Sequence, residues 1–175
     1  MGRLLLAVFL LPALTPIENT MAEAEREVRE ILRNMTYPSE WTKNGQASLA
    51  EGLYEEPAAP GSASKVVVRL TDFVAMGTID GRTIVALVIV TDSGGSGVFS
   101  DLYLMSQQEH LWILMDRAHL GDRIRVNSIA VERGLVNLDL TIQAPDDPIC
   151  CPTKRSRIYY ALQGRRLVKV NDPQQ

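Results

Sequence analysis

The sequence predicts an α+β fold, with one N-terminal amphipathic helix packed on a mostly antiparallel β-meander. Three observations predict it. Residues 23–35 carry apolar side chains at helical spacing. After Pro38 the chain is a succession of short, β-branched runs separated by turn residues. Those runs stand too close together for crossover helices, which disfavours parallel pairing. The composition agrees: 175 residues, 46% hydrophobic and 22% charged, are enough to bury a core without metals or crosslinks.

The chain begins MGRLLLAVFLLPAL. Arg3 supplies a positive n-region, and Leu4 to Leu14 is an apolar run well short of the ~20 residues that span a bilayer. Pro12 and Pro16 interrupt it, and small residues follow. Residues 1–22 therefore read as a signal peptide cleaved after Ala22 or Ala24, and 23–175 as a single β-rich domain. This places the protein outside the cytoplasm, secreted, periplasmic or envelope-associated. Bacterial lipidation needs a cysteine directly after the apolar run, and the first cysteine is Cys150, so the expected form is exported and not lipidated. No second long apolar run follows, so the mature chain is not expected to be an integral membrane protein.

Within the domain, Ala24, Val28, Ile31, Leu32 and Met35 fall on one helical face, with acidic residues early and Arg29 and Arg33 late, as the helix dipole favours. Pro38 ends the helical geometry. The expected strands are 46–49, 53–56, 65–70, 83–91, 98–105, 111–115, 124–132, 135–142, 157–162 and 167–170. TIVALVIVT at 83–91 is the most hydrophobic segment after the leader and reads as a central strand buried on both faces. Glu132-Arg133-Gly134 and Gln163-Gly164-Arg165 read as tight hairpins.

Several function classes are disfavoured. A net charge of −3 and a pI near 5.4 lack the basic excess of nucleic-acid binders. Two cysteines rule out a disulfide-dense scaffold or a four-cysteine zinc site, and two histidines leave little for histidine-rich metal chemistry. Ser93-Gly94-Gly95-Ser96-Gly97 lacks the Lys-Ser/Thr ending of a phosphate loop and reads as a strand connection. No G-x-S-x-G or H-E-x-x-H motif is present around Ser residues, His110 or His119. No catalytic residue, metal ligand or cofactor is assigned, and the reading leans away from an enzyme.

Four phrases carry a resemblance: residues 34–65 (NMTYPSEWTKNGQASLAEGLYEEPAAPGSASK), TDSGGSGVFSDLYL, LGDRIRVNSIAVERGLVNLDL and APDDPICCPTKRSRIYYALQG. Together they resemble an uncharacterised module of envelope proteins of Chloroflexota and cyanobacteria, sometimes placed ahead of a META-type domain. The CCPT segment is similar to the end of LppP/LprE-type lipoproteins. The resemblance covers most of residues 34–170 and implies a β-rich, extracytoplasmic domain, with no activity attached. Relatives often carry an acidic calcium-type loop before the buried strand. Here residues 77–83 offer one carboxylate, Asp80, where calcium takes six to eight oxygens, so the segment reads as a hairpin turn without an ion.

Two features remain as candidate sites. Cys150 and Cys151 are adjacent, and across a trans peptide their Cα atoms lie ~3.8 Å apart, below the usual disulfide range. A vicinal disulfide, two free thiols, and a metal or intermolecular role all stay open. Asp146, Asp147, Pro148 and Pro152 frame the pair in a rigid loop, a possible recognition loop. Beyond it the chain turns basic, and on a strand Arg155, Arg157 and Tyr159 point one way while Ile158, Tyr160 and Leu162 point the other. The expected function is a non-catalytic extracytoplasmic module that binds an envelope protein or an anionic cell-wall or lipid component. The alternatives are a thiol- or disulfide-dependent sensor centred on Cys150 and Cys151, and an enzyme of unrecognised type.

Overall fold

The structure is a computed structural model that describes residues 16–172, with side chains described from residue 23. Most of the expected signal peptide lies outside the described residues. Helix α1 runs Pro16–Leu32. Eleven strands follow: β1 (Thr36–Pro38), β2 (Gln46–Ser48), β3 (Leu53–Pro57), β4 (Lys65–Ile79), β5 (Arg82–Asp92), β6 (Val98–Gln108), β7 (Leu111–Asp122), β8 (Arg125–Glu132), β9 (Leu135–Ile142), β10 (Lys154–Gln163) and β11 (Arg166–Val170). They form a two-stranded sheet β1-β2, a five-stranded sheet β3-β4-β5-β6-β7 and a four-stranded sheet β11-β10-β9-β8. Every strand pair is antiparallel. Among the described residues, no helix is long and apolar enough to cross a membrane.

This corrects the α+β expectation of a helix packed on one meander. Strands make up 61% of residues 23–172, and the largest core lies between two sheets. Among its described side chains, the helix buries too little to define a layer. Ala24 and Ile31, expected on its buried face, are exposed, and only Leu32 is fully buried. The apolar spacing was real, but a periodic stripe does not show how much of it finds a partner.

The five-stranded sheet is covered on both faces. Alternation along a strand sends successive side chains to opposite sides. Ile84, Ala86 and Val88 of β5 and Leu102 and Leu104 of β6 meet Val126, Val131, Val136, Leu138 and Leu140 of the four-stranded sheet. Their neighbours Val85, Leu87, Ile89, Tyr103 and Met105 join a second cluster with Leu32, Tyr37, Ala47 and Leu49. Tyr37 Oη donates to the Leu32 carbonyl at 2.8 Å, and Tyr103 Oη donates to the Pro38 carbonyl at 2.6 Å. These bonds satisfy hydroxyls that burial would otherwise penalise.

The two large sheets close on each other along both margins. At one, Gly77 of β4 approaches Val131 of β8 so closely that an added Cβ would stand 2.7 Å from the Val131 carbonyl oxygen. At the other, Asp116 Oδ2 on β7 accepts the Leu167 N–H of β11 at 2.7 Å, and the Arg165 guanidinium donates to the Leu114 carbonyl. The expected turn at 77–83 is tighter than drawn. β4 continues to Ile79, and Asp80 and Gly81, both at positive φ, form the two-residue turn.

Candidate binding face

The outer face of the four-stranded sheet is built by register. Cross-strand partners share a face, so three rows of side chains run across β8, β9 and β10. One row is Ala130, Asn137 and Tyr159. The next is Ser128, Asp139 and Arg157, and the third is Arg125, Thr141 and Arg155. The sheet's other face carries Val136, Leu138 and Leu140 into the core. Asn127, the extra residue of a bulge in β8, donates to Asp139 Oδ1 at 2.8 Å and to Thr141 Oγ1 at 3.1 Å.

Asp139 is the hub of this face. Its side chain is 18% exposed, and its Oδ2 faces Arg155 at 3.5 Å and Arg157 at 3.8 Å. Both guanidiniums are about three-quarters exposed, so Asp139 tethers them loosely while they present to solvent. Beside them lies an open cleft of about 340 Å³, lined in part by Ser128, Ala130, Asn137, Asp139, Arg157 and Tyr159. Within it the Asn137 Oδ1 is buried and accepts no hydrogen bond. A buried acceptor without a donor costs free energy, and here it is sealed from the cleft by its neighbours. Tyr159 Oη donates to Asp172 Oδ2 at 3.3 Å at the cleft margin.

The expected recognition loop joins β9 to β10 at the Arg155 end of this face, just past the pair Ile142 and Lys154. Asp147 organises it. Its Oδ2 accepts the N–H groups of Ala144 and Thr153, each at 2.8 Å, and its Oδ1 accepts the Thr153 hydroxyl at 2.8 Å. The Ala144 N–H first, then Thr153, hold the Asp147 carboxyl below the usual carboxylate range. Gln143 Nε2 donates to the carbonyls of Asp147 and Pro148, and the Cys151 N–H donates to the Pro148 carbonyl. Asp146 is exposed and Pro152 is half-buried. Cys150 and Cys151 form a vicinal disulfide pair and both are exposed, as is Ile149 beside them at 71%. The loop's base is thus held by side-chain bonds, and its tip presents sulfur and an apolar side chain.

Other features noted in the sequence lie elsewhere. His110 sits exposed in the β6–β7 turn. The glycine segment connects β5 to β6, and Gly94, at φ 76°, has no room for a side chain against the Lys65 carbonyl. Asp122 and Arg123 pair at 3.0 Å, and Arg123 donates to the Ser96 carbonyl. His119 Nδ1 lies 2.9 Å from Asp101, whose side chain is nearly fully buried. The strands pair these two residues directly, and among the described residues Asp101 is the imidazole's only polar partner. The histidine satisfies a buried carboxylate, and the arrangement lacks a nucleophile in contact.

Sequence reasoning placed Arg155, Arg157 and Tyr159 on one face but missed Asn137 and Asp139. The signal was available: in LVNLDLTI, Asn137, Asp139 and Thr141 alternate with core residues, marking a polar face directly across from the arginines. No protein family, curated protein or solved structure matches this chain.

Proposed function

We propose that this chain is a non-catalytic, exported binding module whose ligand seats on the outer face of the four-stranded sheet. The observation that carries the reading is the open cleft on this face, lined by Arg157 and Tyr159, with a second exposed arginine, Arg155, facing the same Asp139. Arginines with exposed heads suit an anionic group, because a guanidinium offers two parallel donors to a carboxylate or phosphate. An anionic component of the cell envelope, free or on an envelope protein, is the partner this face fits. The leader-like N-terminus and the resemblance to envelope modules support that location.

Two measurements test it. N-terminal sequencing of exported material is expected to begin near Glu23 or Glu25, and an intact Met1 would remove the export part. The purified protein is expected to be retained by its envelope fraction, and the Arg155→Glu, Arg157→Glu variant is expected to be released. Equal retention of that variant, folded by circular dichroism, would remove the binding face.

A second reading, a thiol–disulfide accessory, is favoured by the exposure of both cysteines at the loop tip. It requires the pair to cycle with a dithiol reductant while the fold persists. Thiol titration of the native protein before and after such treatment tests it.

A further inference from the structure

We infer that the first half of β10 takes up an extended acidic segment of a partner protein as an added strand, an assignment that rests on the binding-face reading above and names its partner. β10 is ten residues long and β11 only five. β9 pairs with β10 from Lys154 to Ala161, whereas β11 pairs with it only from Tyr159 to Gln163. Residues 154–158 therefore have a neighbouring strand on one side alone, and Asn171 and Asp172 leave the ladder where it would continue. An open trough of about 670 Å³ lies in the vacated lane, lined by residues 156–159 and 169–172.

The hairpin fixes where the backbone groups point. Gly164 and Arg165 form a two-residue turn, so Gln163 and Arg166 exchange hydrogen bonds across it. In an antiparallel pair every second residue then directs its N–H and C=O the same way. Gln163, Ala161 and Tyr159 direct theirs to β11, and Arg157 and Arg155 direct theirs into the open lane. Among the described residues, none bonds to the backbone groups of these two arginines there. An unpaired edge of this kind is a template for a further strand, with main-chain bonds giving affinity and alternate side chains giving specificity.

The side chains select the strand. Residues opposite Arg155 and Arg157 on an added strand share their face and lie beside exposed guanidiniums, which favours acidic ones. The residue opposite Ile158 lies beside a half-buried side chain packed against the core, which favours an apolar one. Antiparallel to β10, the segment therefore reads apolar, acidic, unrestricted, acidic from its N-terminal end. Residues 154–158 carry Lys154, Arg155 and Arg157 with no carboxylate among them. The nearest carboxylates are engaged: Asp139 by Asn127 and both arginines, Asp172 by Tyr159, and Asp147, beyond Lys154, by Ala144 and Thr153. Asp146 is exposed farther out on the loop. A second copy of this chain is a poor occupant, because antiparallel pairing of two such edges sets arginine against arginine.

The test is calorimetric titration of the full chain with the capped peptide Gly-Ile-Glu-Ser-Glu-Thr-Gly. Two comparison peptides carry Gln in place of both Glu, or N-methyl groups on both Glu amides, the donors that would enter the lane. The Glu peptide is expected to bind, and each comparison peptide to bind at least about tenfold less tightly. Arg155→Glu with Arg157→Glu, folded by circular dichroism, is expected to lose the Glu peptide and to bind its counterpart with Lys in place of both Glu. Lys65→Gln, on the other sheet, is expected to bind the Glu peptide as the parent does. No binding of the Glu peptide, equal binding of the N-methylated one, or a dimer in sedimentation that the double variant dissolves, overturns the assignment. Envelope retention separates the two levels. If it depends on Arg155 and Arg157 yet the Glu peptide does not compete, the added strand falls and the face stands. If it ignores those arginines, the face itself falls.

Discussion

Replacing Gly77 by alanine places a methyl carbon 2.7 Å from the Cβ, the Cγ1 and the carbonyl oxygen of Val131, where ordinary contact begins near 3.4 Å. The valine side chain could rotate away, but its backbone carbonyl cannot. One strand must therefore withdraw by the better part of an ångström where β4 and β8 close the two-sheet core. Overpacking of this kind costs about 1–3 kcal/mol, and the backbone clash argues for the upper half. For a chain of this size that is a fall in Tm of roughly 3–10 °C. Urea denaturation at neutral pH, read by tryptophan fluorescence, gives the free energy, and a thermal melt gives the second value. Gly95→Ala is the control: its added Cβ would meet only the Ser93 hydroxyl at 3.9 Å, without positive φ, and it is expected to change stability by less than about 0.5 kcal/mol. Combining Gly77→Ala with Val131→Ala should cost less than the two changes summed, because the second removes part of what the first strikes. If Gly77→Ala is as stable as the parent, β4 and β8 do not meet here and the two-sheet packing is wrong.

Three further outcomes are expected. Cys150→Ser with Cys151→Ser should lower stability by roughly 2 kcal/mol or less, because both residues are exposed and a ring closed between neighbours removes little entropy from the unfolded chain; a double variant that fails to fold in urea titration would place the pair in the core. Asp147 has a lowered folded pKa, so its contribution is present at neutral pH and is lost as pH falls below the ordinary carboxyl range; Ala144 and Thr153 amide protection should fall in acid before the core amides exchange, and Asp147→Asn should give the same pattern at neutral pH. Burial pushes the phenols of Tyr37, Tyr103 and Tyr160 upward, so their contribution is complete below about pH 10 and lost as pH rises beyond it; a urea midpoint that is flat from pH 9 to 11.5 would contradict this.

The strands that bury one or both faces in a regular alternation were legible. LVNLDLTI is β9 at its full length, and TIVALVIVT lies within β5 with its buried faces as expected. What escaped was the length of β4 and β7. Beyond Leu70, β4 passes through a bulge at Thr71, Asp72 and Phe73, where Asp72 interrupts the apolar face that Leu70 and Val74 share, and Thr71 Oγ1 donates to the Val88 carbonyl there. Beyond Met115, β7 reads Asp-Arg-Ala-His, polar enough to suggest a turn, yet Asp116 and His119 are spent on Leu167 and Asp101. Local pattern also carries no mark of where one sheet ends and the next begins. The candidate face was half legible for the same reason: the arginines alternate visibly on β10, but their meeting with Asp139 and Asn137 exists only once β9 and β10 pair.

In both large sheets each strand lies beside its neighbour in sequence. This order has a kinetic consequence. Nearly all pairing is achieved by closing short hairpins, whose entropy cost is small, and two type I′ turns, at Asp80-Gly81 and Arg133-Gly134, are available before any distant contact forms. The long closures come where the sheets meet, Gly77 against Val131 and Asp116 against Leu167. The expected order is therefore two meanders forming first and docking afterwards, with the docking contacts absent from the rate-limiting step. A clash at Gly77 would then leave the refolding arm of a chevron in place and raise the unfolding rate. The same seam that closes the core would set how long the folded protein lasts once it has formed.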